Sequence, residues 1–199
     1  MNDRVNAKAG GRSLAGITLT ALFAALIAAG AFIAIPLPFS PVPVVLQNLF
    51  AVLAGLVLGP FLGSASAALY LLAGALGAPV FAGALGGAVH FAGPTGGFLA
   101  GYLLAAAVAG FIAGKPGGDG SARSGRIIPA VILGFAVVYL PGILRLKMVL
   151  GTSWAGALFT GCIPFLPGDL LKGIAAAAAA PRLRRAAGDL LDRERPGKD

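Results

Sequence analysis

Long apolar segments recur along the chain, and short breaks rich in proline, glycine or charge separate them. An apolar helix of about 20 residues crosses the ~30 Å hydrocarbon core of a bilayer. We therefore predict an all-α, polytopic membrane protein with six transmembrane helices, which cover residues 14–35, 44–58, 61–76, 98–113, a fifth segment from Ile127, and 168–185.

Proline marks several of the breaks between these segments. Four prolines within residues 36–43 exclude a helix there and predict a stiff, extended loop. Gly59-Pro60 predicts a tight turn between the second and third segments, and Pro141 predicts a break or a kink in the fifth. Pro167 lies where proline is favoured, in the first turn of the sixth helix.

Two other stretches do not fit a spanning helix. Residues 77–97 form an uncharged, glycine-rich connection, and non-helical backbone at a membrane must be covered by protein or line a cavity. Residues 152–163 would make a helix of only ~18 Å, which is too short to span. We place this piece at the membrane interface, with Trp154 as an anchor.

The composition agrees with this pattern, because 58% of the residues are hydrophobic, 11% are charged and the mean hydropathy is +0.91. The bases that precede the first segment resemble a signal peptide. The apolar run is longer than a signal core of ~7–15 residues, so we predict a retained helix. We expect one membrane domain over residues 14–185, a short segment 1–13 before it, and a charged, disordered tail over residues 186–199.

The distribution of the basic residues predicts the orientation of the chain. The net charge of +8 alone would suit nucleic acid, but the bases cluster at the ends of apolar segments, as orientation signals do. Six crossings put both termini on one side, together with most of the lysines and arginines. We therefore expect both termini in the cytoplasm of a bacterial inner membrane, and the proline-rich and glycine-rich loops outside.

Asp169 and Lys172 carry opposite charges within an apolar surround. A charge inside a membrane costs about 2.5–3.5 kcal/mol on insertion scales and usually marks a site or a pathway. Their three-residue spacing places them on one helix face. They form either a structural ion pair or a ligand-binding pair. We favour binding, because such ion pairs seldom add net stability.

Other side chains that the topology brings towards the same outer side are candidate ligand contacts. Some are polar and some aromatic, and each also suits ordinary packing or a local hydrogen bond; His90, the sole histidine, is not a metal site on its own. Together with Asp169 and Lys172, the candidate substrate-binding residues are Gln47, Asn48, Tyr70, Phe81, His90, Thr95, Tyr139 and Arg145.

The sequence gives little support for catalysis. It contains no recognisable nucleophile motif with a histidine partner, no zinc motif and no ATP-binding loop, and Cys162 is the sole cysteine. We therefore predict a protein that is not an enzyme and needs no cofactor. If ATP drives its activity, another subunit must bind it.

Alanines recur at four-residue spacing on the first segment, at Ala21, Ala25 and Ala29. Small residues at this spacing let another helix approach closely. The partner helix is either one of the chain's own or part of a separate membrane subunit.

Four ordered motifs resemble the BioY family, the biotin-specific substrate-binding (S) components of energy-coupling-factor (ECF) transporters. The motifs are Ser40-Pro41-Val42-Pro43-Val44-Val45-Leu46-Gln47, Pro79-Val80-Phe81-Ala82-Gly83, Gly93-Pro94-Thr95-Gly96-Gly97-Phe98 and Pro164-Phe165-Leu166-Pro167-Gly168-Asp169-Leu170-Leu171-Lys172. The resemblance covers about residues 14–185. It implies a six-helix S-component bundle that captures biotin from outside and works with a transmembrane coupling subunit and two cytoplasmic ATPases. It also implies that the alanine ladder meets the coupling subunit.

The chemistry of biotin then suggests roles for the candidate residues. Asp169 would accept the ureido N–H groups, and Asn48 or Gln47 would donate to the ureido carbonyl. Lys172 or Arg145 would meet the carboxylate. The family often has tyrosine where this chain has Phe98, so no hydroxyl contact is expected from that position. The alternative is a stand-alone secondary transporter or facilitator of biotin or another small vitamin, with Asp169 and Lys172 in proton coupling.

Overall fold

The computed structural model describes residues 14–116 and 124–193, and these are mostly helical. The predicted N-terminal segment, most of the loop after residue 114 and the end of the tail lie outside the described residues. The helices are α1 Leu14–Phe32, α2 Gln47–Ala75, α3 Gly96–Ala113, α4 Ile127–Leu150, α5 Trp154–Gly161 and α6 Leu166–Arg193, and short 3-10 turns cover Ala88–Phe91, Ser124–Arg126 and Ile163–Phe165. Two strands, β1 Ala34–Leu37 and β2 Ser40–Val45, lie between α1 and α2.

α2 is a helical hairpin rather than one straight rod. Its backbone leaves the helical region at Gly59, where φ is 81° and ψ is −177°, and Pro60 follows. The chain then returns along itself, because a Cβ added to Gly63 would lie 2.7 Å from the carbonyl oxygen of Ala54. The predicted turn is therefore present, and residues 47–58 and 60–75 form two antiparallel arms.

The count of spanning helices depends on whether α2 is taken as one helix or as two arms. Within residues 14–116 and 124–193, five helices are long and apolar enough to cross a membrane, when α2 counts as one and α5 with α6 as another. Each arm of α2 is shorter than the ~20 residues of a typical crossing. Counted separately, the two arms give six helical passes together with α1, α3, α4 and α6, which agrees with the predicted bundle, while the length criterion alone counts five.

The proline-rich stretch is not the loop that the sequence predicted, but an antiparallel β-hairpin. Ala34 pairs with Val45, Ile35 with Val44, and Leu37 with Ser40, and the register shifts between Ile35 and Leu37. Proline suits an extended backbone with unpaired N–H positions, which a two-stranded sheet offers along both of its edges.

Proline has less effect on the long helices than predicted. α4 continues through Pro141 to Leu150, and α6 continues through Pro181 to Arg193. Packing against neighbouring helices allows proline inside a membrane helix. α4 is therefore not broken, and α6 takes up the start of the tail that we predicted to be disordered. α6 begins at Leu166, so Pro167 lies in its first turn, as expected.

Small residues bring the central helices into close contact. A Cβ on Gly55 of α2 would collide with the backbone of Ala106 in α3, and one on Gly110 would lie 2.6 Å from the backbone of Pro60. α2 is accordingly the most enclosed of the five candidate spans. Of the residues in its most apolar stretch 67% are buried inside the protein, compared with 33% for α1.

The two ends of the bundle differ in their composition. One end carries the start of α1, the α2 turn, the end of α3 and the end of α6, since Gly16, Pro60, Lys115 and Leu191 line one groove there. At this end the buried Arg184 donates hydrogen bonds to the carbonyl oxygens of Leu56, Ala113, Gly114 and Lys115. The opposite end carries the β-hairpin and the glycine-rich connection.

Candidate ligand-binding site

A cavity of about 430 Å³ lies at the end of the bundle that carries the β-hairpin. The hairpin, the glycine-rich connection and the start of α3 form its walls. Its lining is largely apolar, and the side chains used below are those of Gln47, Phe81, His90, Thr95, Phe98 and Tyr102. The irregular backbone of the glycine-rich connection lines a cavity here, which is one of the two arrangements that the sequence predicted.

Four polar side chains from α2, α4 and α6 form a cluster beside this cavity. The Asp169 carboxylate accepts hydrogen bonds at Oδ1 from Asn48 Nδ2 and Lys172 Nζ, both at 2.8 Å. Its Oδ2 accepts the Tyr139 hydroxyl at 2.5 Å. Lys172 Nζ also donates to Asn48 Oδ1 at 3.0 Å, which closes a ring of three residues. The structure thus brings together four candidates from three separate regions of the sequence.

The cluster balances its own charge within an apolar surround. Asp169 and Lys172 are each only 8% exposed. Asp169 lies in the first turn of α6, where the partial positive charge of the helix N-terminus also favours a carboxylate. Charge pairing, hydrogen bonds and the helix end together offset the cost of burial.

A recess of about 30 Å³ borders the polar cluster and adjoins the larger cavity. The two spaces share five lining residues, namely Val42, Pro43, Val45, Phe98 and Tyr102. The site therefore has a polar floor at the recess and a larger apolar chamber next to it, which is the usual composition of a small-molecule site.

Gln47 and Tyr70 form a second polar pair at the cavity wall. The Gln47 amide donates to the Tyr70 hydroxyl and to the carbonyl oxygen of Val80, the latter at 3.4 Å. Tyr70 is buried behind Gln47 and packs edge-on against Phe81, with 5.7 Å between the ring centroids. Gln47 faces the cavity, whereas Tyr70 supports it from behind.

Phe81 is the centre of an aromatic cluster in the glycine-rich connection. The rings of His90 and Phe91 lie edge-on to it, at 6.0 Å and 5.8 Å between centroids. Phe81 is buried, while His90 is half-buried and lines the cavity together with Thr95. These contacts fix the connection as one wall of the chamber.

Arg145 does not reach the polar cluster. Its guanidinium donates to the carbonyl oxygens of Ala92 and Gly93, the latter at 3.4 Å. It therefore ties α4 to the glycine-rich connection and does not line the chamber. A direct contact between Arg145 and a ligand stays a prediction.

Tyr102 is the site residue that the sequence analysis missed. It lies four residues after Phe98 on α3, so both face the same side of the helix. It lines both the chamber and the recess. The four-residue spacing from the Gly96-Gly97-Phe98 motif was the available signal, but an aromatic residue on an apolar helix usually indicates packing alone.

Nothing in the site suggests a bound metal. Within residues 14–116 and 124–193, no group of three or more His, Cys, Asp and Glu side chains lies together to hold an ion. The polar groups that meet at the site are one carboxylate, one ammonium, amides and hydroxyls, which suit hydrogen bonding to a small organic molecule.

Comparison with known proteins gives a consistent result. A family model described as the BioY family matches residues 1–189. The probable biotin transporter BioY of Pyrococcus horikoshii is 43% identical over 168 residues, which cover 84% of this chain and 95% of that protein. The biotin transporter BioY of Rhizobium etli is 40% identical over 168 residues, or 81% and 88% of the two chains.

A solved structure resembles the whole bundle. It is the crystal structure of the S-component for biotin from an ECF-type ABC transporter, with a TM-score of 0.76 and 29% identity over 93% of this chain and 95% of that chain. The fold and the enclosed site thus define a polytopic membrane transport protein, not an enzyme. More particularly, the chain belongs to the BioY family.

Proposed function

We propose that this chain captures biotin from the outer side of a bacterial inner membrane for uptake by an ECF-type, ATP-driven importer. The observation that carries the proposal is the Asn48–Tyr139–Asp169–Lys172 cluster at the floor of an apolar chamber in a BioY-family chain. The relatives named as biotin transporters and the solved biotin S-component support the same ligand.

The site matches the chemistry of biotin at both ends. The ureido ring of biotin carries two N–H donors and a carbonyl acceptor, and Asp169 is the carboxylate that accepts hydrogen bonds from the N–H groups. Asp169 already accepts two hydrogen bonds at Oδ1 and one at Oδ2, so a carboxylate with about four lone-pair sites retains one acceptor site, and a second ureido N–H would have to replace an existing donor. The fused ring and the aliphatic tail occupy the apolar chamber.

Lys172 serves the same end of the ligand as Asp169. Its ammonium lies 2.8 Å from the carboxylate, so it neutralises Asp169 during the exchange of hydrogen bonds. A biotin carboxylate placed there would lie beside the negative charge of Asp169. Arg145, held at the glycine-rich connection, is therefore the candidate for the carboxylate of the tail.

The exposed face of α1 supports docking to a coupling subunit. Ala21, Ala25 and Ala29 are all exposed, whereas Ala24 is buried against the rest of the bundle. Internal packing therefore does not use the four-residue alanine ladder, which stays accessible to a helix of another subunit. The two ATPases would supply the ATP chemistry for which this sequence has no loop.

Equilibrium binding of radiolabelled biotin to the purified protein tests the proposal, with other vitamins as competitors. We expect saturable binding that unlabelled biotin alone displaces. Equal displacement by unrelated vitamins would contradict the biotin assignment. Uptake in cells that lack every coupling ATPase, abolished by a protonophore, would instead favour the stand-alone secondary transporter.

A further inference from the structure

Among the described residues, the hydroxyl group of Tyr102 makes no hydrogen bond to another side chain. The residue is only 6% exposed, and no hydrogen bond to its hydroxyl occurs within residues 14–116 and 124–193. Every fully buried side-chain nitrogen or oxygen in this part of the chain has a partner. The Tyr102 oxygen must therefore retain access to the cavity, because otherwise it would be a buried polar atom without a partner.

Its position is the junction between the two spaces of the site. Tyr102 lines the apolar chamber together with Gln47 and His90, and it lines the polar recess together with Asp169 and Lys172. A ligand that extends from the recess into the chamber must pass this ring. A hydroxyl with access to the cavity but without a protein partner is available to donate a hydrogen bond to an acceptor on a bound ligand.

The other side-chain donors that line the recess, together with Gln47 at the chamber wall, each already make at least one hydrogen bond within the protein. Both contacts of the Gln47 amide nitrogen go to Tyr70 and Val80. The Asn48 amide is committed to Asp169 through its nitrogen and to Lys172 through its oxygen. The Tyr139 hydroxyl donates to Asp169. Tyr102 differs from Gln47, Asn48 and Tyr139 in that its hydroxyl makes no hydrogen bond within the described residues, so a ligand can engage it without competing with a protein partner.

We propose that the Tyr102 hydroxyl donates a hydrogen bond to the ureido carbonyl oxygen of biotin and so helps to determine ligand specificity. This inference rests on the proposed function. With the ureido N–H groups at Asp169 in the recess, the carbonyl between them lies next to the junction. Tyr102 therefore takes the role that the sequence analysis gave to Asn48 or Gln47.

The test uses Tyr102→Phe, which keeps the ring that packs at the junction and removes only the hydroxyl. One neutral hydrogen bond corresponds to a loss of about 2- to 12-fold in biotin affinity. The second ligand is 2-thiobiotin, in which a thiocarbonyl of weaker acceptor strength replaces the carbonyl. The wild type should prefer biotin over 2-thiobiotin, and Tyr102→Phe should lose most of this preference.

The outcomes separate the inference from the proposed function. Wild-type biotin affinity in Tyr102→Phe overturns the inference and leaves the proposed function standing. An equal loss for both ligands also overturns it, because it indicates a change in packing, which thermal unfolding of the variant in detergent measures independently. Absence of biotin binding by the wild type overturns the proposed function and the inference with it.

Discussion

Asp169 is the residue whose surroundings decide what the site can bind. Three donors from three helices meet on its two oxygens, and Lys172 balances its charge at 2.8 Å. Under the proposed function, a ligand gains from Asp169 when it offers N–H groups that fill the remaining acceptor site of the carboxylate or replace one of those donors. Hydrogen bonds to a charged group contribute about 1.5–3 kcal/mol each, roughly twice a neutral one.

Asp169→Asn should weaken biotin binding by about 10- to 150-fold, which corresponds to the loss of one charged hydrogen bond. Asparagine keeps the shape but replaces one acceptor oxygen with a donor, and it leaves Lys172 without a counter-charge. Titration of the purified variant with labelled biotin measures the effect. Wild-type affinity at unchanged membrane expression would contradict the assigned role.

The sequence predicted this part of the site because a charge is conspicuous among apolar residues. Asp169 and Lys172 stand out for that reason, and Asn48 and Tyr139 follow from their place near the outer end of the bundle. Tyr102 was missed because aromatic residues in membrane helices mostly pack. The hydrogen bonds of Arg145 to the glycine-rich connection depend on loop geometry, which no local pattern encodes.

At the scale of elements, the turn in α2 determines how the helices pair. Gly59 adopts φ 81° and ψ −177°, a conformation that is essentially restricted to glycine. The turn lets α2 place Gln47 and Asn48 at the ligand site and bring Tyr70 back beside them. One glycine therefore aligns polar residues that lie on both arms.

Gly59→Ala should destabilise the protein by about 1–3 kcal/mol, because a side chain at this φ is strained. The added Cβ would also lie 3.3 Å from the Lys115 Cα. The expected result is a lower midpoint of thermal unfolding in detergent. Gly125→Ala is the matched control, since its Cβ would meet nothing within 4 Å. Equal midpoints for both variants would contradict this account.

The alanine ladder belongs to the same scale. Ala25→Leu should reduce co-purification with a coupling subunit at least several-fold, because a larger side chain prevents close helix approach. Biotin affinity should stay unchanged, as α1 contributes none of the polar cluster. Ala178→Leu, on an exposed position of α6, is the control. If both variants co-purify equally well, the ladder is not the docking face.

The sequence predicted a helix, strand or turn correctly where a single physical effect decided the local structure. The prediction failed where two effects opposed each other. Gly59-Pro60 gave a turn because both residues disfavour a continuous helix. The proline-rich stretch was predicted to be a loop because proline lacks an N–H donor. It instead folds as β1 and β2, because a two-stranded hairpin leaves N–H positions on its outer edges unpaired and proline can occupy them. Pro141 did not break α4, because neighbouring helices compensate for the lost hydrogen bond.

At the scale of the whole molecule, the two ends of the bundle carry different chemistry. The start of α1 and the end of α6 lie at one end, where Arg184 binds the final carbonyls of two neighbouring helical segments. The ligand chamber opens at the other. The membrane class and the family were evident from apolar segments and ordered motifs, whereas the number of full crossings was not, because the arms of α2 are short.

Cysteine labelling tests the orientation. In a Cys162→Ser background, Lys147→Cys at the ligand end should react with a membrane-impermeant maleimide in intact cells. Arg185→Cys, exposed near the opposite end, should react only after the membrane is permeabilised. The reverse pattern would place both termini outside the cytoplasm.

The folded-back α2 also bears on how the chain enters a membrane. Neither arm alone has the length of a stable crossing, but together they form 29 residues without a single charged side chain. Their turn consists of glycine and proline, so moving it through the lipid costs no ionic desolvation. We therefore expect the arms to insert together as one helical hairpin, which would bring Gln47, Asn48 and Tyr70 side by side independently of α6 and Asp169.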